Sequence, residues 1–153
     1  MMSSYLAMPR DGHLQQVFHI FSYLRNKHNV RMVFDPRYPN LDYSKFEKRD
    51  WSSFYGEVKE EIPDHIPTAH GSEFIILCYC DSDHAGDQLT RRSRTGFIVY
   101  LNSAPIYWFS KKQNSLETSS FGSEFCAMKQ ACEYLRGLRF KLRMMGIPVI
   151  HVL

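Results

Sequence analysis

The segment after Gly71 constrains the fold of this chain most strongly, because three strand patterns are followed there by one long helix pattern. The apolar run Phe74–Cys80 is typical of a buried strand, and a polar, glycine-containing turn follows it. Two further strand patterns, Gly96–Leu101 and Pro105–Ser110, are separated by the short turn Asn102–Ser103, which predicts an antiparallel hairpin. These patterns predict an α/β fold with a mixed, partly antiparallel sheet.

A long amphipathic helix is predicted to pack against this sheet. Ser119 or Ser120 is a suitable N-cap, and apolar side chains then recur on one stripe. These are Phe121, Phe125, Met128, Cys132, Leu135 and Leu138. The segment Gly146–Pro148 ends the helix, and Val149–Leu153 is typical of the start of one more strand.

The first 72 residues differ in character from the rest of the chain. A helix is predicted after the turn Pro9–Gly12, and Val30–Phe34 alternates like a strand. Residues 35–72 contain four prolines and little periodicity, so we interpret them as an acidic linker. We therefore divide the chain into a helix plus strand (1–34), a linker (35–72) and the α/β domain (73–153).

Charge is distributed unevenly along the chain, although the formal net charge is only +3. Asp35–Glu73 carries nine acidic and five basic residues, whereas Arg91–Arg143 carries ten basic and three acidic residues. The basic half suits a polyanion such as nucleic acid, and a solvated surface is the alternative interpretation. No apolar run approaches the roughly 20 residues that span a bilayer, and no secretory signal pattern is present, so we expect an intracellular protein without membrane contact.

Two carboxylates occupy positions that suit a hard divalent cation. Asp81 follows the first strand, and Glu124 lies in the first turns of the long helix that would pack across it. Asp83 would share the strand face of Asp81 and is a further candidate ligand. Oxygen ligands of this kind hold Mg²⁺ or Mn²⁺, which activate water for phosphodiester hydrolysis. Carboxylates are common at strand ends, however, so the spacing alone does not decide whether a metal binds here.

Three motifs, in order along the chain, resemble the ribonuclease H domain of copia-type retrotransposon polyproteins. The first is Asp81–Gly86, where the family typically has Asp-Ala-Asp-Trp-Ala-Gly, and it continues into Arg91–Phe97. The second is Trp108–Gln113, and the third is Ser119–Phe125. The segment from Leu6 into the first helix is similar to the end of the reverse transcriptase part of the same polyproteins.

The resemblance implies a ribonuclease H-like fold that cleaves RNA in RNA–DNA hybrids, with Asp81 and Glu124 as catalytic, metal-binding carboxylates and Mg²⁺ or Mn²⁺ as cofactor. Further motif residues are implied to contact nucleic acid: Arg91, Arg92, Ser93, Lys111, Lys112 and Gln113. The expected partners are an RNA–DNA hybrid or other nucleic acid and the rest of the Pol polyprotein. Transposon replication implies the cytoplasm or nucleus by analogy.

One departure from the family bears on catalysis. Family members carry a third metal-binding carboxylate after the strand that follows the long helix, and this sequence reaches Leu153 without one. His151 is a poor substitute, because imidazole suits softer metals than Mg²⁺. We therefore expect a truncated fragment, incomplete at its C-terminus, in which cleavage is lost. A residual endonuclease, a non-catalytic nucleic-acid-binding remnant and an inert relic remain as hypotheses.

The aromatic residues of the second hairpin strand allow two interpretations. Tyr107, Trp108 and Phe109 could stack on nucleic-acid bases, but aromatic side chains in a central hairpin usually belong to the core. We therefore predict that all three are core residues. The four cysteines lack the paired spacing of a zinc site and are interpreted as structural thiols.

Overall fold

The computed structural model describes residues 5–46, 49–57 and 62–153, and the chain divides into two compact units, one up to Met32 and one from Val33 to Leu153. The first unit contains helix α1 (Asp11–Asn26), which confirms the predicted first helix. No residue of α1 is buried. Its apolar side chains Leu14, Phe18 and Phe21 are each more than half exposed.

The strand predicted at Val30–Phe34 is wrong. This segment has no regular secondary structure and no strand pairing, and four of its five side chains are more than half exposed. Alternation of apolar and polar residues favours an extended chain, but a strand also requires a hydrogen-bonded neighbour. No described segment supplies one here.

The second unit is built on a four-stranded mixed sheet. Its strands are β1 (Phe74–Asp83), β2 (Arg94–Leu101), β3 (Ala104–Lys112) and β4 (Val149–Val152), in the order β3-β2-β1-β4. The first three strands pair antiparallel, and β4 pairs parallel to β1. Helix α3 (Ser120–Met144) connects β3 to β4 and packs on the sheet. The predicted α/β class, with a mixed sheet and one packed helix, is confirmed.

The core lies between α3 and one face of the sheet. Ile76 and Val99 are fully buried there, together with Ala131 of the helix. Tyr107 stacks on Tyr134 of α3 with ring centroids 4.2 Å apart. Removing this apolar surface from water is the main force that holds the helix on the sheet.

The segment predicted to be a linker is attached to the sheet at its N-terminal end. The side-chain amide of Asn102 donates a hydrogen bond to the carbonyl of Pro36 (2.8 Å), and the Tyr38 hydroxyl donates to the carbonyl of Glu73 (3.1 Å). Tyr43 begins a short 3-10 turn, Tyr43–Phe46, and a four-residue helix, α2 (Ser52–Tyr55), follows. Part of the acidic stretch, including Glu60 and Glu61, lies outside the described residues. Across the described ranges, no helix has both the length and the apolar composition that crossing a bilayer requires.

Candidate functional site

Three strand ends and the start of α3 meet at one end of the sheet, which we call the Asp83 end. In the sheet register, Asp83 of β1 lies opposite Arg94 of β2, which lies opposite Lys112 of β3. The Ser82 hydroxyl donates to the Ser123 hydroxyl of α3 at 3.0 Å. This contact brings the N-terminal turn of the helix, and with it Glu124, to the same end of the molecule.

The predicted carboxylates lie at this end on different elements. Ser82 faces α3, so alternation along β1 directs Asp81 and Asp83 to the opposite face of the sheet, while Glu124 projects from the helix. All three side chains are exposed. Burial raises the pKa of the Cys80 thiol, and neighbouring Cys132, Glu124 and Asp81 raise it further.

The Asp83 side chain lies against Gly86 in the turn that follows β1. Its carboxylate fills the space beside Gly86, where any Cβ would overlap it. Glycine in the Asp81–Gly86 motif thus leaves room for Asp83 in the turn. Within the described ranges, no three His, Cys, Asp or Glu side chains form a group that could hold a metal ion. Asp81 and Glu124 alone supply fewer ligands than a hard cation in a hydrolytic site requires, so the residues present do not fit such a centre.

Two residues predicted to contact nucleic acid are buried. Ser93 is 0% exposed and its hydroxyl accepts a hydrogen bond from the Ala85 N–H at 3.0 Å. Gln113 is 3% exposed, and its amide donates to the Thr95 hydroxyl at 3.1 Å and to the Ser123 carbonyl at 2.9 Å. Burial leaves neither side chain free to contact a nucleic acid. They hold the turn after β1 and the start of α3 against the sheet.

The loop that carries Arg91 and Arg92 is organised by Asp87. One carboxylate oxygen of Asp87 accepts hydrogen bonds from the backbone N–H groups of Leu89 and Thr90, both at 3.1 Å. The Arg91 N–H donates to the Asp87 carbonyl at 2.6 Å, and the Asp87 N–H donates to the Arg92 carbonyl at 3.3 Å. Both arginine side chains are exposed on this closed loop.

Asp87 also neutralises one of the predicted basic contacts. Its carboxylate forms an ion pair with Lys112, and this hydrogen bond, with those from the loop backbone, holds the pKa of Asp87 well below its usual range. Lys111, one residue earlier in β3, is exposed. Arg91, Arg92 and Lys111 are therefore the exposed members of the predicted basic set. Sequence reasoning missed Asp87, although an Asp followed by a short polar loop is a common turn signal.

The cysteines are free thiols, as far as the described residues extend. Cys78 faces the core, and burial raises its pKa to about 11, so it stays protonated at neutral pH. Cys80 and Cys132 are exposed.

Comparison with known proteins relates the chain to transposon polyproteins. It is 36% identical over 90 residues, 58% of its length, to the retrovirus-related Pol polyprotein from transposon RE2 of Arabidopsis thaliana. It is 34% identical over 95 residues, 58% of its length, to the corresponding polyprotein from transposon RE1 of the same plant. It is 31% identical over 77 residues, 50% of its length, to the polyprotein from transposon TNT 1-94 of Nicotiana tabacum. The predicted resemblance to transposon Pol polyproteins is confirmed.

The matched region is a small part of these relatives. The alignments span about 6% of the length of each of the three polyproteins. No family model matches the chain. No solved structure matches it significantly.

Proposed function

We propose that this chain is a ribonuclease H-like segment of a transposon Pol polyprotein that binds RNA–DNA hybrids through their phosphates without cutting them. The observation that carries the proposal is the set of exposed basic side chains at the Asp83 end, formed by Arg91, Arg92 and Lys111. Guanidinium and ammonium groups bind phosphates irrespective of base sequence. The motif resemblance and the relatedness to Pol polyproteins support the proposal that the ligand is a nucleic acid.

The loop geometry supports phosphate binding. Asp87 fixes the backbone of residues 87–92 through four hydrogen bonds, so the two arginines are held on a closed loop before any ligand arrives. A preorganised loop loses little conformational entropy on binding. Lys111 is close by, because Lys111 pairs with Thr95 in the register, one residue from Arg94 at the start of β2.

The carboxylate arrangement supports binding without hydrolysis. Two-metal hydrolysis needs ligands for two cations about 4 Å apart, and Asp83, the third predicted ligand, lies against Gly86. Asp81 and Glu124 would leave most of the charge of two divalent ions uncompensated. Mg²⁺ or Mn²⁺ is therefore expected to bind this chain weakly, and the RNA strand is expected to stay intact.

The test is a combined binding and cleavage assay on a fluorescently labelled 12-base-pair RNA–DNA hybrid. We expect the folded chain to raise the anisotropy of the hybrid with a dissociation constant of roughly 1–100 μM at physiological salt. Gel analysis is expected to recover intact RNA after incubation in Mg²⁺ and then in Mn²⁺. Asp81→Asn and Glu124→Gln are the matched controls, and both should leave binding and RNA recovery unchanged.

Cleavage by the parent chain that disappears in both variants would contradict the non-catalytic part of the proposal and support a residual endonuclease. Absence of binding by a chain that circular dichroism shows to be folded would instead support an inert relic.

A further inference from the structure

The loop between β1 and β2 exposes an apolar side chain at its tip. Leu89 is 87% exposed, and among the residues that the structure describes no large apolar side chain is more exposed. Contact of this side chain with water is unfavourable, and a ligand that covers it recovers that free energy. Leu89 is therefore a candidate contact residue, provided that the loop holds it in this position.

Hydrogen bonds fix the backbone on both sides of Leu89. The Asp87 carboxylate accepts from the Leu89 N–H at 3.1 Å, and the Arg91 N–H donates to the Asp87 carbonyl at 2.6 Å. Arg91 adopts φ 55°, a left-handed conformation that turns the chain back toward β2. The leucine is thus presented to solvent before any ligand binds, so a contact made by Leu89 needs little further ordering of the loop.

The surroundings of Leu89 are positively charged. Arg91 and Arg92 follow it closely in the chain, and both side chains are exposed. Asp87 is the one acidic residue of the segment 87–92, and its side chain is only 12% exposed and forms an ion pair with Lys112. A partner that covers Leu89 must also accommodate two neighbouring cations. This charge favours a polyanion over an apolar protein surface.

We propose that Leu89 is the non-ionic contact of this loop and packs against sugars and base edges in a groove of the bound RNA–DNA hybrid. The inference rests on the proposed function and adds a binding residue to it. Such hybrids are close to A-form, whose minor groove is wide and shallow, so the tip of a short loop can reach its surface. Proteins that bind the minor groove of DNA combine apolar side chains with arginines in a similar way.

Leu89→Ser separates this contact from the ionic ones. We expect the variant to bind the labelled hybrid roughly 10-fold more weakly at every salt concentration, because the burial of one leucine side chain is lost. The slope of the logarithm of the binding constant against the logarithm of salt concentration should stay unchanged, since an apolar contact releases no counterions. Leu89→Met keeps an apolar side chain of similar volume and should lose less than about 3-fold. Both variants keep the backbone N–H that binds Asp87.

The matched control is Leu6→Ser, because Leu6 is 79% exposed but lies in the N-terminal unit. It should leave the affinity for the hybrid unchanged. If the hybrid binds and Leu89→Ser loses no more affinity than Leu6→Ser, the role of Leu89 is wrong while the proposed function stands. A shallower salt slope in Leu89→Ser would mean that the substitution acts through the arginines, which also overturns the inference. If the parent chain binds no hybrid at any salt concentration, the proposed function fails and the inference with it.

Discussion

Simultaneous replacement of Arg91, Arg92 and Lys111 by alanine is expected to weaken binding of the RNA–DNA hybrid by roughly 100-fold at physiological salt. Each of these exposed side chains contributes a phosphate contact and the release of condensed counterions, and the three act on one ligand. The variant should fold normally, because the Asp87 hydrogen bonds that close the loop are made by backbone N–H groups. Anisotropy titration of the labelled hybrid measures the change.

The matched control is the triple replacement of Arg25, Lys27 and Arg31 by alanine. These residues are exposed in the N-terminal unit and their replacement changes the net charge by the same amount. We expect it to change affinity by less than about 3-fold. Equal losses in the two triple variants would mean that net charge, not the Asp83 end, governs binding.

Asn102→Ala is expected to lower the free energy of unfolding by about 3 kcal/mol, a large share of the total for a domain of this size. Asn102 is 3% exposed and adopts φ 53°, a left-handed conformation that alanine disfavours. Its side chain accepts from the Ile75 N–H at 2.9 Å and donates to the Pro36 carbonyl at 2.8 Å. The substitution leaves the buried Ile75 N–H and the Pro36 carbonyl without these hydrogen bonds. Urea denaturation followed by circular dichroism measures the loss.

Two further variants assign the cause. Asn102→Gly keeps the left-handed backbone but not the side-chain hydrogen bonds, so it should recover about 1 kcal/mol of the loss. Asn114→Ala, at an exposed position, should change stability by less than about 0.5 kcal/mol. A stability loss in Asn102→Ala no larger than that in Asn114→Ala would show that the attachment of Pro36 to the sheet is energetically unimportant.

The strands and helices were predictable where sequence periodicity alone determines the element. The three strand patterns after Gly71 and the helix that follows Ser119 were found close to their observed bounds. The contact between Pro36 and Asn102 was not predictable, because it joins residues 66 apart through one amide. Val30–Phe34 failed for the converse reason: its alternating pattern is correct for a strand, but pairing is a property of the tertiary fold.

The site was predictable only at the level of motifs. A motif specifies that Ser93 and Gln113 belong together with the basic residues, but it does not distinguish a polar side chain that binds a ligand from one that braces the fold. The prediction that Trp108 is a core residue is wrong, because Trp108 is 62% exposed. Three consecutive aromatic residues in a strand do not reveal which face of the sheet is covered. The sequence also does not show that Lys112 is neutralised while its neighbour Lys111 stays exposed. The ion pair of Lys112 is with Asp87, which lies 25 residues away in sequence.

The most direct test of the central claim is the salt dependence of hybrid binding. For the parent chain we expect the logarithm of the binding constant to fall with the logarithm of salt concentration with a slope of about −2 to −3, as three phosphate contacts predict, while the RNA stays intact in Mg²⁺. The triple variant at Arg91, Arg92 and Lys111 should show a slope near zero. A slope that is the same for both chains would contradict phosphate binding at the Asp83 end, as would a parent chain that binds no hybrid at low salt.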